Sequence, residues 1–115
     1  MWLIINEGFL SIVKHRDKED TYLVRARKEQ HITDNFDGLF VIDWADYPYR
    51  CEINEEQMIE FLVDYVQNRL IYSNFKNSLN TDAFKSFCGE LWHLGWVHFF
   101  GDRPDYIWLD EMKEW

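Results

Sequence analysis

The chain has the length of one ordinary domain, 115 residues, with a formal net charge of −9, a hydrophobic share of 47% and an aromatic share of 18%. That composition excludes disorder, and a domain of this size buries well over half of its unfolded surface without a disulfide or metal staple. The charge speaks against nucleic acid as a direct ligand, because backbone binding needs clustered Lys and Arg to release counterions.

Taken in chain order, Trp2 to Asn6 and Phe9 to Lys14 read as two short strands around a Glu7-Gly8 turn. His15 to Asp20 is a charged loop, and Tyr22 to Lys28 returns as a strand with Arg25 and Arg27 on one face and Val24 and Ala26 on the other. Glu29 to Phe36 has room for one or two helical turns. Leu39 to Trp44 and Tyr49 to Ile53 read as further strands, with Pro48 at a strand start or an edge.

Beyond Asn54 the period changes. Asn54 followed three residues later by Gln57 is a capping-box variant. Met58, Ile59, Leu62, Tyr65, Val66, Arg69 and Leu70 then recur at three- and four-residue steps, which predicts one amphipathic helix from about 55 to 71. A second helix starts at an Asn80 or Thr81 cap and carries Phe84, Phe87, Cys88, Leu91 and Gly95 as one stripe, widened by Trp92, Trp96 and Phe99. Strands first and helices last predict an α+β fold. It is expected as an antiparallel sheet of four to five strands with the two main helices packed on one face. Residues 1–101 form one domain in this reading, and 102–115 an aromatic extension of it.

The chemistry-bearing residues do not assemble into a catalytic motif. Cys88, His93 and His98 are five residues apart and spread around a helix, so they do not meet one ion. Cys51 and Cys88 lie in no paired motif, and Cys88 falls on an apolar stripe that suits an inert thiol. Without a nucleophile elbow, a phosphate loop or a dinucleotide fingerprint, the expectation is a non-enzymatic protein with no cofactor and no metal. His15 and His31 stand in polar stretches and read as solvated. The unpaired cysteines and the lack of a basic leader or an apolar run of roughly 20 residues point to the cytoplasm.

Charge patterning is more informative. Residues 1–50 hold seven Lys/Arg against nine Asp/Glu (net −2), and residues 51–115 hold five against twelve (net −7). Glu56, Glu60 and Asp64 follow one another at four-residue steps with Glu52 just before, and no base enters that helix until Arg69. Like charges at that spacing oppose a helix by roughly 0.2–0.5 kcal/mol per pair. The stripe either keeps the protein soluble or meets a row of Lys and Arg on a partner. Arg25, Arg27 and Arg50, flanked by Tyr47 and Tyr49, either hold an anion or pair with carboxylates across the sheet.

Several segments resemble a widespread family of short uncharacterised bacterial proteins: Met1-Trp2 with Gly8-Phe9-Leu10-Ser11-Ile12-Val13, Val24-Arg25-Ala26-Arg27, Asp46-Tyr47-Pro48-Tyr49-Arg50, and Tyr72-Ser73-Asn74-Phe75-Lys76. The resemblance covers roughly residues 1–100. It implies one compact domain and no particular activity, and it marks Arg25, Arg27, Tyr47, Arg50, Asn74 and Lys76 as a shared cluster. The chain departs from the pattern after Gly101 and in its greater acidity.

Two functional expectations follow. The first is an acidic binding module of the inhibitor type (an immunity or anti-defence, anti-CRISPR-like protein of a phage or mobile element). It would occupy a basic, nucleic-acid-binding surface of a partner protein through Glu52, Glu56, Glu60, Asp64, Trp108 and Trp115. The second is a small-anion or nucleotide sensor built on Arg25, Arg27, Tyr47, Arg50 and Lys76. Trp92 and Trp96 are further candidate anchors, and homodimerisation through aromatic surface fits the residues equally.

Overall fold

A computed structural model describes residues 1–100. They divide into two compact units, one spanning Met1–Ser73 and a second beginning at Asn74.

The first unit is an antiparallel sheet in the order β1-β2-β3-β5-β4, built from β1 (Trp2–Ile5), β2 (Gly8–Lys14), β3 (Thr21–Ala26), β4 (Phe40–Val41) and β5 (Tyr49–Asn54). Two helices complete it, the short α1 (Glu29–Thr33) and α2 (Glu55–Asp64). The class is the expected α+β, and the five strands fall within the expected number. Strand alternation decides which residues are inside. Leu10, Ile12, Val24, Ala26, Cys51 and Ile53 share one face, where they form a buried cluster with Ile5, Ile32 of α1, and Met58 and Phe61 of α2.

The opposite face has its own order. Trp2 pairs with Ser11, Ser11 with Arg25, Arg25 with Arg50, and Arg50 with Phe40, so one transverse row crosses all five strands. Two arginines therefore stand directly opposite each other, an arrangement that destabilises a sheet unless something neutralises it.

The start of α2 follows the expected local chemistry. Asn54 Oδ1 accepts from the Gln57 amide at 2.7 Å and Gln57 Oε1 accepts from the Asn54 amide at 2.8 Å, a complete capping box. Its end does not follow the expected course. The α-helix stops at Asp64 and Tyr65–Arg69 continue as a π-helical turn, not as α-helix to residue 71. Tertiary bonds account for the wider turn. Arg69 reaches Glu7 at 2.9 Å and Asn35 Oδ1 at 2.6 Å, while the Tyr65 hydroxyl donates to Asn6 Oδ1 at 2.9 Å and meets the Tyr72 hydroxyl at 2.7 Å. Both side chains thus face the β1–β2 turn, which one extra residue per turn permits.

The second unit contains a short 3-10 turn (Lys76–Ser78) and α3 (Asp82–Phe99). Thr81 caps α3, accepting from the Phe84 amide. Of the predicted stripe, Cys88 and Trp96 are buried, Phe84, Phe87, Leu91 and Trp92 are half-buried, and Phe99 is exposed. Trp96 stacks on Trp92 and meets Phe100 at a tilt, with centroids 5.9 and 5.1 Å away. No helix among the described residues is long and apolar enough to cross a membrane.

Candidate functional site

Two surfaces of the first unit gather the charged residues singled out by the sequence. The outer face of α2 is one. Of its predicted apolar stripe only Met58 and Tyr65 are buried, joined by Phe61, whereas Ile59, Leu62, Val66 and Leu70 are exposed, as is Val63. Aromatic bulk explains the difference. Phe61 packs on Phe36 with centroids 4.6 Å apart, and Tyr65 bonds to Asn6, so the helix turns this edge to the sheet and leaves the aliphatic edge outward. Beside that edge run Glu56, Glu60 and Asp64, all exposed. Among the described residues no basic side chain pairs with any of the three, and Asp64 accepts only from Asn68 at 2.8 Å. Arg69, the one base of this segment, is committed to Glu7 and stacks on Tyr65 at 5.0 Å.

Glu52 is placed differently from its three companions. It lies on β5, not on the helix, and its carboxylate takes Lys18 at 2.6 Å and His15 at 3.2 Å. The hydrogen bond from Lys18 holds this carboxyl below its ordinary range. His15 is accordingly not a freely solvated ring. Its Nδ1 accepts from the amides of Asp17 and Lys18 at 3.0 and 3.1 Å, which organises the loop before β3. His31 likewise is half-buried, and its Nδ1 accepts from the Phe9 amide at 3.2 Å.

The second surface is the arginine face of the sheet. Arg25, Arg27 and Arg50 all contact Tyr47. Tyr47 is buried, and the guanidinium carbons of Arg25 and Arg27 lie 4.9 and 4.3 Å from its ring centroid. Arg50 Nε donates to the Tyr47 carbonyl at 2.8 Å, Arg27 Nε to the Asp46 carbonyl at 3.3 Å, and Arg25 Nη2 to Ser11 Oγ at 2.7 Å. Lys76 belongs to the second unit, in its 3-10 turn. Trp108 and Trp115 lie outside the described residues.

The two thiols are free and buried, and burial pushes each up to about 11, the opposite of an activated nucleophile. Among the described residues no three His, Cys, Asp or Glu side chains stand close enough to share a metal ion. Comparison with protein-family models, with curated proteins and with solved structures finds no match.

Proposed function

We propose that the protein is a non-enzymatic binding module of the inhibitor type. Its contact surface is the outer face of α2 and the following π turn, and its partner is a basic protein whose Lys/Arg row ordinarily holds nucleic-acid phosphates. The observation that carries this reading is the adjacency on one helix of an exposed aliphatic edge (Ile59, Leu62, Val63, Val66) and an unneutralised acidic edge (Glu56, Glu60, Asp64). Apart from Glu56, which favours the helix dipole in the first turn, neither edge helps the free protein. Exposed apolar side chains gain from burial on association, and the carboxylates repel one another until a cationic surface meets them. Successive acidic residues rise about 6 Å along the axis, from 1.5 Å per residue, a repeat that a row of basic side chains matches. Complementary charge gives fast, salt-sensitive association, while the aliphatic edge supplies the slower-dissociating part of the contact.

The test is capture of a partner by the intact protein and by the Glu56→Lys/Glu60→Lys/Asp64→Lys variant, at low and high salt. The expected outcome is one basic protein retained by the native protein at low salt, weakened at high salt and lost by the variant. All three positions are exposed, so the variant is expected to keep its circular dichroism, with Tm lowered only slightly by the loss of the first-turn acid Glu56. Capture that survives the triple reversal would remove this reading.

A further inference from the structure

The arginine face is independent of the α2 surface and points to a ligand of a different kind. Charge is the first consideration. In a chain with 21 acidic and 12 basic residues, carboxylates are plentiful, and Lys18 and Arg69 each take one at 2.6 and 2.9 Å. Arg25 and Arg27 take none among the described residues. Among the described residues the one carboxylate that pairs with this group is Asp46, 3.8 Å from Arg50 and 70% exposed, too far and too wet to neutralise three guanidinium groups, while Glu52, next on the same face of β5, is taken by Lys18 and His15. Register makes the excess sharper, since Arg25 and Arg50 are direct cross-strand partners, and Arg27, just past the end of β3, lies against the same Tyr47 ring as Arg25.

Preorganisation is the second consideration. The Tyr47 ring is fixed by burial and sits against two guanidinium planes, Ser11 ties Arg25, and backbone carbonyls tie the Nε groups of Arg27 and Arg50. Those bonds orient the side chains yet leave Nη donors of all three arginines unused. Arg25 Nε is buried without a hydrogen bond among the described residues, a cost that the free protein bears to hold this guanidinium where it stands. Arginine forks held in place this way lose little freedom on meeting a planar or tetrahedral oxyanion.

We infer that Arg25, Arg27 and Arg50, steadied by Tyr47 and Ser11, form a binding site for the phosphoryl group of a small phosphate monoester. Three guanidinium charges of which only Arg50 has a carboxylate partner among the described residues, at 3.8 Å, suit a dianion better than a singly charged carboxylate, and a phosphomonoester is close to dianionic at neutral pH. A single compact patch in a chain of net charge −9 accommodates one phosphoryl group and not a polyanion.

Arginine Nε–Hε resonances of the full-length protein, titrated with inorganic phosphate and separately with acetate at matched ionic strength, test the site. Phosphate is expected to move the Arg25, Arg27 and Arg50 signals along one saturable isotherm, with acetate weaker by roughly tenfold or more. Arg27→Ala, at an exposed position, is expected to weaken phosphate binding by about tenfold, and Arg27→Lys by less, because the charge returns without the fork. Equal response to phosphate and acetate would overturn the site. So would the lack of saturation by tens of millimolar phosphate, or an Arg27→Ala protein that binds as the native one does. Loss of partner capture in the α2 variant leaves all of these results unchanged, so the two surfaces are tested separately.

Discussion

Phe9 donates its backbone N–H to Nδ1 of His31 across 3.2 Å, and the bond requires a lone pair on that nitrogen. Burial holds the imidazole below its ordinary pKa of 6.5, Lys28 adds to the effect, and Asp34 opposes it. The native state therefore keeps a neutral ring where the unfolded chain binds a proton. Because the unfolded state takes up more protons in that window, stability is complete above 6.5 and falls as pH drops from there toward the folded-state value. Urea unfolding between about pH 7 and 5 is expected to show this slope, and His31→Asn, which keeps an acceptor but cannot titrate, is expected to flatten it. A slope unchanged by His31→Asn would assign the effect elsewhere.

Gly8 tests the same contact by sterics. A Cβ placed there would lie 2.9 Å from both Cβ and Cγ of His31 and 3.2 Å from its Cα. A clash with backbone and a ring root is not relieved by a rotamer change. Gly8→Ala is expected to cost about 1–3 kcal/mol, read as a lower denaturation midpoint at unchanged m-value.

Local signals were legible in the sequence and tertiary ones were not. The capping box at Asn54 and Gln57 needs only a four-residue window, and the alternation of Arg25 and Arg27 needs only a strand. The direct pairing of Arg25 with Arg50 depends on register, which is set jointly by the β3–β5 connection and the buried face, so sequence gave their neighbourhood but not their opposition. On α2 the apolar positions cover a wide arc, and periodicity alone could not say which part faces the sheet. Phe61 and Tyr65 decided it through Phe36 and Asn6, residues far away in the chain. The π turn is likewise invisible locally, since its causes sit at Asn6, Glu7 and Asn35.

The capping box makes a separable prediction. Asn54→Ala removes the acceptor for the Gln57 amide and is expected to cost about 0.5–2 kcal/mol. Gln57→Ala removes only the return bond to the Asn54 amide and is expected to cost less. The two bonds are reciprocal, so the double variant should cost less than the sum of the singles. Strict additivity in thermal or urea unfolding would show that the bonds act independently.

Arg69 ties the π turn to the β1–β2 turn and to Asn35. Its Nη2 serves both the Glu7 carboxylate and Asn35 Oδ1, and its guanidinium stacks over Phe61 at 5.6 Å as well as Tyr65. Removing it leaves Glu7 and Asn35, both half-buried, with unsatisfied oxygens. Arg69→Ala is therefore expected to cost about 1–3 kcal/mol. Arg69→Lys should recover only part, since an ammonium offers no planar group to stack and cannot span both acceptors with the same geometry. Glu7→Gln separates charge from hydrogen bonding: if the ion pair dominates, it costs nearly as much as Arg69→Ala, and if stacking dominates it costs little. A double-mutant cycle between Glu7→Gln and Arg69→Ala, read from urea denaturation at low and high salt, decides between them. Coupling that shrinks with salt assigns the link to charge, and coupling that does not assigns it to the fork and the rings.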